Sequence, residues 1–417
     1  MTVTADLVVR DLAEAATLAV GAVPRVGAAM AELGRVPDAA LAVAGGRIAW
    51  VGPARALGRS VRLRRGARIV DGHGGTLVPG FVDAHSHLLF AGDRAGELVL
   101  KAAGASYGEI ARRGGGLFAT VRATRAASDA ALLRAGEARL RRMMASGTTT
   151  VEVKSGYALE PAGELRLLRL VPRLARRTGA RLVPTFLGAH AIAPEFRRRP
   201  AGYVAQVVRC MLPAVARARL ARFCDVFCEP GFFSVLDAAR ILVAGRSFGL
   251  GAKIHAEEFV RSGGARLAAR IGAVSADHLL AASAADRAAL ARAGVTAVLL
   301  PITAAATPWG RAPARETVDA GVAVALGTDC SPNSWVESMP VVLGAAVHAG
   351  RLTPAEALTA ATVNAAHAVG VADAGRLVVG APADFAVFPI PSAERLGYRY
   401  DLRPTHVYRQ GKPVSTS

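Results

Sequence analysis

Eight short apolar runs recur along the middle of the chain, at 77–83, 148–153, 181–187, 224–227, 251–255, 273–277, 295–300 and 322–326. Amphipathic stretches such as 129–144, 161–178 and 282–293 separate several of them and carry apolar residues at helical spacing. Strands that alternate with helices must run parallel, because each helix carries the chain back across the sheet. Eight is the number that closes such a sheet, so the spacing predicts an α/β chain built on a (β/α)8 TIM barrel, which takes about 250 residues. Barrel enzymes place their chemistry at the C-terminal ends of the strands. That rule selects which polar residues matter.

The two ends of the chain have another pattern. Short runs at 6–10, 40–44 and 45–52, and again at 375–379, 383–388 and 405–412, are joined by Gly and Pro and read as strands with tight turns. The expected division is therefore 1–76 and 371–417 as two parts of one small β domain, with 77–370 as the barrel. In 417 residues no apolar stretch reaches the length of about 18 that a membrane helix needs, so no membrane partner is expected. Asp6, Asp11 and Glu14 interrupt the pattern of a secretion signal, and a cytoplasmic enzyme is the expectation. Cys210, Cys224, Cys228 and Cys330 are too few and too scattered for a disulfide framework, and Cys224 and Cys228 fall in an apolar run as buried thiols. The formal charge of +19 comes from arginines spread through Ala-rich stretches, with only four lysines. This compositional bias accounts for the charge without a nucleic-acid partner.

Metal-competent groups fall at the ends of four of these runs. Asp83-Ala-His85-Ser-His87 closes the first, and two histidines two apart on an extended chain point to the same side. His255 closes the fifth, His278 follows the sixth, and Asp329 ends Leu326-Gly-Thr-Asp329 after the eighth. One such residue would be incidental. Four strand ends that converge on a barrel mouth point to a hydrolytic metal site with nitrogen and carboxylate ligands.

With these residues, Pro79-Gly-Phe-Val-Asp-Ala-His-Ser-His87 resembles the amidohydrolase superfamily. Further stretches carry the resemblance along the chain: His87-Leu-Leu-Phe-Ala-Gly-Asp-Arg94, Ser106-Tyr-Gly-Glu-Ile110, Gly114-Gly-Gly116, Thr120-Val-Arg-Ala-Thr-Arg125, Val153-Lys-Ser-Gly-Tyr157, Gly188-Ala-His190 and Ile254-His-Ala-Glu-Glu258. These look like the members that open an imidazolone ring bearing a propionate during histidine degradation. The resemblance implies a barrel with a β-sandwich built from both termini. It also implies one Zn²⁺ or Fe³⁺ per subunit on His85, His87, His255 and Asp329, and a homodimer.

Glu258, by the same resemblance, moves the proton of the attacking water, with His278 and Asp329 beside it. Neighbouring Glu257 fits a first-turn helix acid. Arg94 is implied to grip the propionate, which suits a forked guanidinium. Tyr107, Tyr157 and His190 are implied at the ring, with Gly114-Gly-Gly116 in a loop over the mouth. After Asp329 the family pattern Cys-Asn-Pro-Gly is replaced by Cys330-Ser-Pro-Asn-Ser334, so Ser331, Asn333 and Ser334 are the expected contacts to substrate there. Lys154, just past the second run, reads as a solvated lysine at a helix start. His73, His348, His367 and His406 lie away from the strand ends. A deaminase of a heterocyclic amine is the alternative function, because it would use the same ligands.

Overall fold

The computed structural model describes residues 2–415 except 106–108, 111–112 and 308. The N-terminal strands are β1 (Val3–Ala16), β2 (Arg35–Ala44), β3 (Arg47–Pro53) and β4 (Val61–Pro79). The barrel strands follow: β5 (Phe81–Asp83), β6 (Thr148–Lys154), β7 (Arg181–Ala189), β8 (Phe223–Cys228), β9 (Gly251–Ala256), β10 (Ser275–His278), β11 (Thr296–Leu299) and β12 (Val324–Leu326). The chain ends in β13 (Phe385–Phe388), β14 (His406–Arg409) and β15 (Lys412–Pro413).

Both termini build one mixed sheet in the order β15-β14-β13-β4-β1-β2-β3. The sheet rolls back on itself: Ile48 on β3 donates to the Ala381 carbonyl at 2.9 Å, and Gly380 donates back to Ile48 at 2.8 Å, just ahead of β13. The enclosed face holds Leu7, Val9, Leu41, Val43, Leu77, Phe385 and Val387. Apart from an irregularity between Val9 and Leu12, these positions alternate along their strands, as one apolar face requires. The spine of the sheet is β4, which pairs parallel with β1 and antiparallel with β13. Its exposed, Arg- and Gly-rich first half conceals it in the sequence. The predicted strand at 375–379 is not formed. Leu377 is buried in the core, but the segment has no strand partner and Leu377 only donates to the Thr17 carbonyl.

The eight barrel strands lie side by side in chain order. Closure falls between the first and the last. Ala84 donates to the Leu326 carbonyl at 3.2 Å, Asp329 to His85 at 2.9 Å and His87 to Cys330 at 3.0 Å, and Ser86 bridges Cys330 in parallel. The helices start and stop on local signals. Ser128 caps Asp129–Ala145, Ser283 and Asp286 form a capping box on Ala284–Ala293, and Pro161–Thr178 ends at Gly179 with φ 76°. Apolar side chains face outward from the strands to these helices: Val151 and Val153 of β6, Ala252 and Ile254 of β9, and Ala276 of β10. Residues of the opposite parity, Glu152, Lys154, Lys253, His255, Ser275 and Asp277, are buried on the inner side. The inner side of this barrel is therefore charged.

Lys154 accordingly differs from its reading as a solvated helix-start residue. It is the last residue of β6 and wholly buried, because strand parity turns it inward with Glu152. All four cysteines are free, and Cys224 and Cys228 are buried on β8.

Candidate metal centre and substrate pocket

His85 and His87 project from the turn after β5, His255 from β9 and Asp329 from the turn after β12. The Nε2 atoms of His85 and His87 are 3.3 Å apart, and Asp329 Oδ1 lies 3.6 and 3.5 Å from them. Ligand atoms ~2.1 Å from one tetrahedral ion stand ~3.4 Å apart, so these spacings suit a shared cation. His85, His255 and His278 form an overlapping group with donor atoms within 4.8 Å. The Nε2 atom of His255 is buried and has no hydrogen-bond partner among the described residues, as expected of a ligand aimed at an ion. Nitrogen and carboxylate donors of this kind fit Zn²⁺ or Fe.

Carboxylates hold two of the rings from behind. Asp277 Oδ2 lies 2.7 Å from His85 Nδ1, and Asp225 Oδ1 lies 3.1 Å from His255 Nδ1. Each contact places the ring proton on Nδ1 and leaves the Nε2 lone pair free to ligate. Burial, with the nearby Lys154 and the other histidines, pushes the basicity of His85 and His255 well down, which keeps both rings neutral. Thr303 donates to Asp329 Oδ2 at 2.7 Å and fixes the carboxylate. Asp83 accepts from the Thr328 amide and hydroxyl at 2.9 and 2.6 Å, tying the end of β5 to the turn that carries Asp329. Sequence reasoning missed Asp83, Asp225, Asp277 and Thr303 as supports. The available signal was an acid inside an apolar run, which a buried strand tolerates only when the acid is paired.

Glu258 and His278 face one another beside the donors, with Oε2 and Nε2 3.5 Å apart. Burial, then Asp329 and Glu229, raises the Glu258 carboxyl well above the usual carboxylate range. Burial lowers His278 to about 4, so its ring is neutral. Glu229 accepts from the Glu258 and Phe259 amides at 2.6 and 3.3 Å and fixes the backbone that presents Glu258. Glu257 accepts from the Gly263 and Ala265 amides, both at 2.8 Å, at the start of the helix Gly264–Ile271. That is the helix-start acid the sequence suggests. His278 (φ 73°) and Asp329 (φ 51°) both lie in the left-handed region, which costs non-glycine residues about 1–3 kcal/mol each and recurs at functional sites.

A pocket at this mouth is lined by His87, Arg94, Tyr157, His190, His255, Glu258, His278, Asp329, Ser331 and Asn333, with Phe227, Phe232 and Phe259 along its wall. The aromatic wall was not legible as such in the sequence. Arg94 donates through Nε and Nη2 to both oxygens of Glu97 at 2.8–2.9 Å, and Glu97 also accepts from the Gly116 amide at 2.6 Å. The acid thereby joins Arg94 to the Gly114-Gly-Gly116 segment. Asn333 Oδ1 accepts from Lys101 Nζ at 2.8 Å. Asn333 is absent from the left-handed residues, so losing glycine here costs no backbone strain.

Ser334 does not line the pocket. Its backbone closes a turn with Ser331, and its hydroxyl is buried without a partner among the described residues. Tyr107 lies outside the described residues. His73, His348, His367 and His406 are remote from the pocket lining. A larger cleft of about 770 Å³, lined by Arg141, Arg403 and Lys412 among others, has no group of donors or acid–base pair like that at the mouth.

A closed parallel barrel with these donors and this acid–base pair at its mouth has the groups that hydrolysis requires. The amidohydrolase family model matches residues 76–414. The chain is 48% identical to the imidazolonepropionase of Symbiobacterium thermophilum over 95% of this chain and 94% of that one. It is 43% identical to that of Geobacillus kaustophilus over 98% and 97%. A zinc-bound adenosine deaminase from Xanthomonas campestris shares the fold at a TM-score of 0.71 and 21% identity, over 99% of this chain and 93% of that one. The chain belongs to the amidohydrolase family, and within it to the imidazolonepropionases.

Proposed function

We propose that this chain hydrolyses 4-imidazolone-5-propanoate, breaking the ring carbon–nitrogen bond to give N-formimidoyl-L-glutamate in histidine degradation. The observation that carries the proposal is the meeting, in one pocket, of His87, His255 and Asp329, the Glu258–His278 pair and Arg94, with the buried His85 in donor range of His87, His255 and Asp329. When bound, a Zn²⁺ or Fe³⁺ ion polarises the carbonyl and allows water to ionise near neutral pH. The donor set supports one such ion per subunit. A homodimer rests on the family resemblance.

In this reading Glu258 takes the proton of the attacking water and returns it to the ring nitrogen as the carbon–nitrogen bond breaks. Its raised basicity suits that exchange. His278 is neutral and donates a hydrogen bond to the carbonyl oxygen as negative charge grows there. Tyr157 and His190 pack on the ring, and Ser331 and Asn333 meet the polar edge beside it. Arg94 takes the propionate, an anion that this pocket otherwise surrounds with aromatic walls.

The test is turnover of the imidazolone acid by metal-loaded protein, followed through loss of the substrate and through ammonia. Formimidoylglutamate without ammonia is expected. Release of ammonia would instead support the deaminase reading, and no turnover would overturn the proposal.

A further inference from the structure

Beneath the donor set lie five buried charges: Glu152, Lys154, Asp225, Lys253 and Asp277, each with no exposed surface. Lys154 Nζ lies 2.6 Å from Asp225 Oδ2, 3.2 Å from Asp277 Oδ2 and 3.1 Å from Glu152 Oε2. Lys253 Nζ lies 2.8 Å from Glu152 Oε1 and 3.3 Å from the Ala84 carbonyl. Two equally buried lysines thus have different neighbours. Lys154 hydrogen-bonds both carboxylates that hold the ligand rings, whereas Lys253 bonds Glu152 instead and acts on the two acids only through its charge.

The carboxylates need that contact. Asp225 and Asp277 sit on β8 and β10 and point into the same space, where two like charges repel strongly in a medium of low dielectric. His85, Glu152 and Asp277 bring donor atoms within 4.8 Å of one another, a spacing that calls for a cation. Lys154 supplies it from β6. It is a compact charge that donates to Asp225 and Asp277, with Glu152 of its own strand 3.1 Å away.

We propose that Lys154 is a positioning residue: an internal cation that holds Asp225 and Asp277 where they orient His255 and His85 for the metal. The inference rests on the metal reading of the four donors. Lys154 touches neither substrate nor ion; it acts through the two acids.

The test is Zn²⁺ binding by chelator-stripped protein, titrated against a chromophoric chelator, with thermal melting measured on the same samples. Lys154→Met should weaken Zn²⁺ binding about 10–100-fold, the usual effect of losing support behind a metal ligand. Lys253→Met loses an equally buried ion pair and should melt lower, yet keep Zn²⁺ affinity within about twofold, because its partner Glu152 holds no ligand ring. If Lys154→Met does not fold, Lys154→Met/Glu152→Gln removes one charge of each sign and leaves Asp225 and Asp277 in place. That variant should show the same loss of affinity. Unchanged affinity in either Lys154 variant, or an equal loss in Lys253→Met, would overturn the proposal. Wild-type protein that takes up no Zn²⁺ would overturn the metal reading itself.

Discussion

The rings of His87 and His190 stack 5.0 Å apart, with 16° between their planes. His87 Nδ1 has no hydrogen-bond partner among the described residues, whereas Nδ1 of His85 and of His255 each meet a carboxylate. Packing on His190 therefore holds the plane of the His87 ring, which no acid holds from behind. His190 is itself held by its Nδ1, 3.1 Å from the Gly156 carbonyl. On the proposed function, His190 has two separable duties, support of the His87 ring and contact with substrate.

His190→Ala should therefore weaken metal binding several-fold and raise KM, whereas His190→Phe should restore the metal and leave KM raised. Zn²⁺ titration and steady-state kinetics on both variants check this. Equal behaviour of the two would show that stacking on His87 is unimportant.

His87→Ala should lose metal and activity together, because it removes one donor of a set spaced at 3.3–3.6 Å. The parent protein should also gain thermal stability on metal addition, about 2.7 kcal/mol at a hundredfold excess over Kd, and this variant should gain far less. Metal analysis and melting with and without Zn²⁺ measure both effects.

Glu258→Gln should keep the metal and lower kcat by about 100-fold or more, since an amide cannot accept the proton. A near-normal kcat would move the proton transfer to His278, 3.5 Å away.

Arg94→Ala should lower kcat/KM for the acid substrate about tenfold or more, the worth of a charge-assisted hydrogen bond. Arg94→Lys should not restore it, because one ammonium cannot both meet Glu97 across two oxygens and receive a propionate. An analogue without the propionate should be a poor substrate and insensitive to the change. A loss equal to that of the acid would make Arg94 a structural partner of Glu97 only.

Asn333→Ala distinguishes a substrate contact from a strap. The Lys101–Asn333 pair is exposed, and such pairs are worth at most about 1 kcal/mol, or roughly fivefold in rate. If Asn333 also meets substrate, its loss should exceed that figure and Lys101→Ala should not reproduce it. Matching small effects from both variants would assign the pair to closing the mouth alone.

The ligand strands were legible because each ends in a histidine or aspartate after an apolar run, and strand parity set His85 and His87 on one side. Parity was equally present at Glu152, Lys154, Asp225, Lys253 and Asp277, yet a reading by hydrophobicity passes over single charges inside apolar runs. Lys154 seemed solvated for the same reason, since no sequence feature shows the two acids, Asp225 and Asp277, that reach it from other strands. The long strand β4 escaped notice because its first half is exposed and polar, and only pairing with β1 makes it a strand. At 375–379 the opposite occurred: Leu377 fills a core without its segment pairing as a strand.

The seam of the barrel has a consequence for how the protein is made. His85 and His87 follow the first barrel strand, Asp329 follows the last, and the hydrogen bonds from Asp329 to His85 and from His87 to Cys330 run across the join. During synthesis the two histidines emerge long before Asp329 does. The nascent chain therefore has three of its four donors, at most, until the eighth strand leaves the ribosome and the ring of strands can shut. On the proposed metal reading, tight capture is in this way reserved for the finished chain, and an ion held there would join the barrel's beginning to its end.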